Sequence, residues 1–165
     1  MRIAVVLFLS CLLLACTDQR DAMPDASSES ADGSGGGNLA LRGATNAVEL
    51  QPILYPDIEA NDLFGAGCNF ASGKSMAAVV LAQSDYAAIK IDGEVLQLGP
   101  AEGTGELELG ARDTYASEDY RLELALQGGG ESSGYETVDF QGAVRLSDAS
   151  GNPVYATTGT AQCGS

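Results

Sequence analysis

Glu106 and Glu108 in the stretch GELELG are the two glutamates whose spacing could support catalysis. On an extended strand, residues two apart project from the same face about 7 Å apart, and paired carboxyl groups can cleave glycosidic bonds. Leu107 and Leu109 alternate with them and are expected to take the buried face. The glutamates then face water, which leaves a hydrolase using these paired carboxylates as the weaker alternative to a non-enzymatic protein.

Two further stretches match ligand-binding motifs only in part. GAGCNFASGKS, residues 65–75, ends like a phosphate-binding loop, but Cys68 stands where the motif requires its first glycine. We therefore expect a turn ahead of a strand. DIEAND, residues 57–62, alternates oxygen ligands like an EF-hand calcium loop, but Asp62 replaces the required glycine and Cys68 the final glutamate. A solvated acidic edge is expected, and a weak, irregular calcium site is the alternative.

Histidine and tryptophan are missing from the sequence. Without histidine, neither the Ser-His-Asp and Cys-His arrangements nor the usual zinc ligand sets can be built. We predict no catalytic residue, no metal and no cofactor, and therefore a protein that is not an enzyme.

An apolar run at residues 3–15 follows Met1 and Arg2 and stops at Cys16. It is shorter than the roughly 20 residues that span a bilayer and is typical of a secretory signal peptide. Its end, Leu13-Leu14-Ala15-Cys16, resembles the lipobox of bacterial lipoproteins. The resemblance implies that the signal peptide, residues 1–15, is removed and that Cys16 carries the lipid anchor, since two or three acyl chains hold a protein firmly.

The residues after the lipobox indicate location and organisation. Thr17 stands where, in this family, the inner-membrane retention signal has aspartate, so the resemblance implies the outer membrane, with the domain in the periplasm. Residues 16–46 are rich in Ser, Gly, Ala and Asp and cannot bury enough apolar surface to offset their ordering entropy. We predict a flexible acidic tether there, with a reach of about 30 Å, followed by one domain at residues 47–165.

Cys68 and Cys163 are the cysteines left in the body once Cys11 leaves with the signal peptide and Cys16 is lipidated. In an oxidising compartment, two such cysteines suggest one disulfide, which would join the beginning of the folded part to its last residues. Two buried free thiols are the alternative.

The domain is strongly acidic. It holds 18 acidic residues against five basic ones, a formal charge of −13. Nucleic acid and anionic lipid would be repelled, so no nucleic-acid partner is expected. The charge favours solubility, and the more specific interpretation is a basic protein partner drawn in by the field.

Alternating hydrophobicity predicts strands. In DYRLELALQ, residues 119–127, apolar side chains recur at every second position, as in a half-buried antiparallel strand. In YAAIKIDGEVLQLG, residues 86–99, Asp92-Gly93 can form a type I′ turn. That turn places Ile89 opposite Leu96 on one face of a hairpin.

Further strands are predicted at residues 76–82, 104–109, 137–146 and 154–162, separated by glycine-rich turns. Pro52 and Pro56 make residues 50–64 an edge strand or irregular arm, with a short helical turn near Ala60. The fold class is therefore all-β, a small antiparallel sandwich or barrel of about eight strands.

The layout of the domain resembles the membrane-bound inhibitors of c-type lysozyme, which are small β-barrel lipoproteins. The resemblance rests on Cys68 before the first strands, the Asp92-Gly93 hairpin, Gly110-Ala111-Arg112 followed by Tyr115, and Cys163 near the end. The inhibitory motif of that family has Ser-Gly ahead of Ala-Arg-Tyr. Here the serine is absent and two residues separate Arg112 from Tyr115, so no inhibitory residue is carried over from the family.

We expect a cell-envelope lipoprotein that acts as a non-enzymatic binding or structural module with an unspecified ligand. Inhibition of a basic cell-wall lytic enzyme such as c-type lysozyme is the alternative. In that case Arg112 and Tyr115, in a loop at residues 110–119, are the expected partner-binding residues, because Arg and Tyr are favoured anchors.

The lipobox generates a direct prediction about Cys16. Replacement by serine removes the thiol that would carry the diacylglycerol, so Cys16→Ser should abolish palmitate labelling and release the chain from the membrane fraction. Cys11→Ser, within the predicted signal peptide, is the matched control and should leave both unchanged. A labelled, membrane-bound Cys16→Ser variant would refute the lipoprotein interpretation.

Overall fold

A computed structural model describes residues 46–165 as one short helix followed by a closed antiparallel barrel of eight strands. The elements are α1 Tyr55–Asn61, β1 Gly67–Ser72, β2 Ala78–Ala82, β3 Ala87–Ile91, β4 Glu94–Pro100, β5 Thr114–Ala116, β6 Tyr120–Ser132, β7 Thr137–Asp148 and β8 Pro153–Gly164. Each strand pairs with the next, and β8 pairs with β1. The all-β prediction is confirmed, and of its two alternatives the fold is the barrel.

The predicted signal peptide, the lipid anchor at Cys16 and nearly all of the predicted tether lie outside the described residues. In residues 46–165, no helix has both the length and the apolar character needed to cross a membrane.

The hairpin between β3 and β4 forms as the sequence predicts. Asp92 and Gly93 both have positive φ, 50° and 84°, as a type I′ turn requires. Ile89 lies opposite Leu96. The turn chemistry and the apolar pattern therefore specify the same register.

The barrel interior is filled by inward-facing side chains. Along β6, Leu122 and Leu124 are almost fully buried, whereas Arg121 before them is exposed and Glu123 between them is half-buried, the alternation expected of a strand with one face on a core. The largest fully buried side chains are those of Tyr115, Phe70, Ile89, Leu98, Leu122, Leu124, Leu146, Val80 and Val144.

Segments outside the strands add side chains to this core at both ends of the barrel. At one end, the arm at residues 46–54 hydrogen-bonds to β8 through Ala47 and to β3 through Gln51, and Leu50 packs in the interior cluster. At the other end, the loop between β4 and β5 contributes Leu107 and Ala111 to the same cluster. Both ends are therefore capped by the chain itself.

Two local predictions are wrong, and a third is right only in part. Residues 104–109 form a loop with a 3₁₀ turn at Glu108–Gly110, because Leu109 and Gly110 both have positive φ, which ends an extended strand. The expected loop at residues 110–119 contains β5. Residues 50–64 hold helix α1 where an edge strand or irregular arm was expected around Pro56, since proline is tolerated in the first helical turn, where its missing N–H has no helical acceptor. The helical turn expected near Ala60 lies within this helix and is confirmed.

Cys68 and Cys163 form a disulfide, as predicted. They are opposite each other in the β1–β8 register, with Cα atoms 4.0 Å apart, and both are almost fully buried inside the barrel. The bond therefore ties the first strand to the last at the seam where the sheet closes on itself.

Removal of this bond is expected to destabilise the barrel strongly. The disulfide closes a loop of 95 residues, so its loss should lower the free energy of unfolding by about 4–5 kcal/mol in the chain-entropy description. Urea unfolding of the Cys68→Ala/Cys163→Ala variant against the oxidised parent measures this, with the reduced parent as control. A difference below about 1 kcal/mol would contradict a stabilising role.

Candidate functional site

Glu106 and Glu108 do not lie side by side on a strand, so the paired-carboxylate face expected from their alternation is absent from the described structure. Glu106 forms an isolated bridge with Arg112, and its carboxylate lies 3.3 Å from the Arg112 guanidinium. Glu108 begins the 3₁₀ turn. The strand needed to align the two carboxylates does not form.

Tyr115, predicted to contact a partner, lies fully buried in the barrel core. Its hydroxyl donates a hydrogen bond to the carbonyl of Gln83 at 2.5 Å and accepts one from the backbone N–H of Arg112 at 2.6 Å. Burial raises the pKa of this phenol. Tyr115 therefore has a structural role and holds the β2–β3 loop and the β4–β5 loop together through its hydroxyl. Of the two residues predicted to bind a partner, Arg112 is the one whose side chain reaches the surface.

The loop that carries Arg112 is held in place by a network around Asp113 that the sequence analysis missed. The Asp113 carboxylate accepts hydrogen bonds from the hydroxyls of Thr104 at 2.7 Å and Thr114 at 2.9 Å. Burial acts to raise the pKa of Asp113, but these two hydrogen bonds, together with one from the Gly105 backbone and the charge of Arg121, leave the pKa below its ordinary value. Asp113 therefore stays ionised and serves the loop's conformation.

The phosphate-loop look-alike at residues 65–75 is strand β1 and the turn after it, and β2 rather than a helix follows. The turn is closed by the Ser75 N–H, which donates to the Ser72 carbonyl at 3.0 Å. A phosphate-binding loop needs a following helix whose N-terminus faces the anion. The expected turn ahead of a strand is therefore confirmed.

The calcium-loop look-alike at residues 57–62 covers most of helix α1 and its C-cap. Asp57 is bound by Lys90 at 2.7 Å, and the Asn61 amide donates to the Asp57 carbonyl. Across residues 46–165, no three side chains of the metal-binding types come together.

Helix α1 is packed on the outside of the barrel rather than at one of its ends. Ile58 packs on a small cluster that includes Ile53 and Leu81, which is separate from the interior core. The Lys90 ammonium on β3 binds the Asp57 carboxylate, which also accepts the N–H of Leu54 at 2.9 Å. One carboxylate thus both caps the helix and fixes it to the sheet.

The outer side of this helix presents an exposed surface that the sequence analysis also missed. Tyr55 and Phe64 form an edge-to-face pair with ring centroids 6.3 Å apart, and Leu54 adjoins Tyr55. These side chains are 55–62% exposed. We name this surface the α1 face and define it as Leu54, Tyr55, Glu59, Asp62 and Phe64. The sequence did not predict this surface, because Pro52 and Pro56 argued against a helix beginning at Tyr55, and the surface exists only where that helix forms.

The positive charges of the domain are largely neutralised by its own carboxylates. Of the five basic residues at positions 46–165, three form ion pairs: Lys90 with Asp57, Arg112 with Glu106 and Arg121 with Glu123. Lys74 and Arg145 form none among these residues. The excess of carboxylates therefore sets the field outside the barrel.

Two shallow grooves of similar size lie elsewhere on the barrel surface. One of about 330 Å³ lies at the register shift between β6 and β7, beside Phe140. The other, of about 320 Å³, crosses the outer face of β1 and β8 near Lys74. Neither is lined by the residues that the sequence predicted for a site.

The chain matches no family model, no curated protein and no solved structure.

The contact between Asp57 and Lys90 should make α1 sensitive to acid. The hydrogen bond from Lys90, followed by that from Leu54, holds the pKa of Asp57 below its ordinary value. Because the folded pKa is lowered, the stabilisation is complete above the unfolded pKa and is lost as the pH falls through the folded value. Amide exchange at Ile58 and Leu63, relative to Leu124 in β6, should therefore accelerate on acidification from pH about 6 to about 3.

The matched variants are Asp57→Asn and Glu59→Gln. Asp57→Asn should show fast exchange at α1 at both pH values, whereas Glu59→Gln, on the exposed side of the same helix, should behave as the parent. An Asp57→Asn variant that keeps the parent's acid response would show that another group controls the docking of the helix.

Proposed function

We propose that this chain is a lipid-anchored protein of the cell envelope whose barrel is a non-enzymatic binding or structural module, with binding as its principal role. The observation that carries this proposal is the filled barrel. Leu50 enters the core from one end and Leu107 and Ala111 from the other. The interior is thus devoted to packing, and the outer surface is left for function.

The lowered pKa values of three carboxyl groups support a non-enzymatic role. Hydrogen bonds lower the pKa values of the Asp57, Asp113 and Asp148 carboxyl groups. A carboxylic general acid needs a raised pKa. The three groups accept hydrogen bonds from neighbouring residues of the chain and stabilise its loops and helix.

Placement in the envelope follows from the N-terminal sequence and belongs to the proposal. The lipobox at residues 13–16 suggests an outer-membrane anchor, and the polar residues after it suggest a tether. A barrel on such a tether would search the periplasm near the membrane for its partner, with high effective concentration for anything held at the same surface.

Affinity capture tests the binding role. The tagged full chain, solubilised with the envelope, should retain a partner that the tag alone does not, and the retention should weaken as salt is raised. The Cys16→Ser chain added to the same extract is the control for location, because it keeps the barrel and loses the proposed anchor. No specific retention, together with cleavage of cell-wall polysaccharide that Glu106→Gln abolishes, would favour the hydrolase instead.

Inhibition of a basic cell-wall lytic enzyme such as c-type lysozyme is the second candidate. The observation that favours it is the charge of −13 on residues 47–165, which would accelerate encounter with a cationic enzyme. Because Tyr115 is buried, the surface contribution of the 110–119 segment reduces to Arg112 and its neighbours.

A turbidity assay decides this second candidate. The full chain with Cys16→Ser, in molar excess over c-type lysozyme, should slow lysis of cell walls, and Arg112→Ala should weaken the effect by a factor of about ten if its side chain is an anchor. Arg121→Ala removes the same charge from another ion pair and is the matched control. Unchanged lysis at low salt would eliminate the inhibitor.

A further inference from the structure

The α1 face differs from the other exposed apolar residues because its members adjoin one another. Leu54, Tyr55 and Phe64 are 55%, 62% and 57% exposed, and the two rings contact each other. Single exposed apolar residues need no explanation, but contiguous ones mark interaction sites. Met76, Leu109 and Tyr135 are also exposed, each in a different loop or turn of the barrel.

The face is also held in one position before any partner arrives. Ile58 and Leu63 pack on the outer cluster beneath it, and the Asp57 carboxylate is bound to Lys90 on β3. The side chain of Gln97 on β4 donates to the Asn61 carbonyl at 3.5 Å, near the end of α1. A surface fixed in this way loses little conformational entropy on binding.

Carboxylates border the aromatic pair. Glu59 is four residues after Tyr55 and so lies on the same side of α1. Asp62 caps the end of the helix two residues before Phe64. Burial, followed by the charges of Asp62 and Asp85, raises the pKa of Tyr86 beside this helix, so Asp62 and Asp85 both lie within electrostatic reach of that phenol.

In the described residues, 46–165, no ion pair neutralises Glu59 or Asp62. Among residues 46–165, Lys90 is the basic residue that forms an ion pair with α1, and its partner there is Asp57. Aromatic rings with adjacent carboxylates attract guanidinium and ammonium groups through cation–π contact and charge. A second copy of this domain would bring another −13 to the same place, and like charges on that scale oppose self-association.

We propose that the α1 face is the docking surface for a cationic protein, which places Arg or Lys side chains over Tyr55 and Phe64 and against Glu59 and Asp62. This inference rests on the proposed binding function and assigns it a surface. The surface lies outside the 110–119 segment that carries Arg112, so the two can be tested separately.

Site-specific photo-crosslinking in intact cells tests the assignment. A benzophenone amino acid replaces Tyr55 or Phe64 in the full chain, and Tyr135, an exposed tyrosine in the β6–β7 turn, is the matched position. We expect the same basic protein to be crosslinked from positions 55 and 64, with at least a fivefold lower yield from position 135. An acidic partner, or equal yields at all three positions, would overturn the assignment.

Charge reversal separates local docking from general attraction. Glu59→Lys, combined with the crosslinker at position 64, should reduce the adduct at least fivefold. Glu118→Lys makes the same change of net charge in the β5–β6 turn and should alter the yield less than twofold. Equal losses in the two variants would show long-range attraction without docking at α1, and would overturn the proposal.

The two proposals fail in different ways. If affinity capture retains a partner but positions 55 and 64 give no adduct, the binding function stands and the α1 face is the wrong surface. If capture retains nothing and no position gives an adduct, both proposals fail together.

Discussion

The pairing of β1 with β8 is the contact on which the rest of the structure depends. Without it the eight strands would be an open meander with two unpaired edges, which invite pairing with other chains. Gly67–Ser72 pairs with Gly159–Gly164, and the Cys68–Cys163 disulfide lies within that register. Glycine is required beside the seam: a Cβ at Gly159 would collide with the backbone carbonyl of Ala71. Closure therefore combines backbone pairing, a covalent bond and a position at which only hydrogen fits.

Closure has a consequence for function, because a closed barrel must fill its interior or enclose a ligand. Here the interior is filled, with apolar side chains from every strand and from both ends. Even the polar atom of the buried Tyr115 side chain has a structural role, because its hydroxyl donates to the Gln83 carbonyl and accepts the N–H of Arg112. The exterior of the described domain, residues 46–165, is acidic and carries one cluster of exposed aromatic residues, Tyr55 and Phe64.

Helix α1 connects the fold to that exterior. The same Asp57 carboxylate caps the helix and binds Lys90 on the barrel. The contact that orients the helix therefore also neutralises the nearby Lys90 ammonium. Tyr55, Glu59 and Phe64 are then presented outward on a fixed support.

The sequence determined the features that depend on neighbours along the chain. The apolar alternation in β6 and the Asp92-Gly93 turn predict strands and a register, because side-chain period and turn geometry are local properties. The N-terminus suggests export to an oxidising compartment, which made a disulfide between Cys68 and Cys163 the expected state of these cysteines. Only the tertiary structure decided between sandwich and barrel, since that choice is the long-range pairing of β1 with β8. The tertiary structure also decided that residues 104–109 form a loop, because Leu107 packs against the core at the end of the barrel. It buried Tyr115 as well, since the exposure of that side chain depends on neighbouring strands that are distant in sequence.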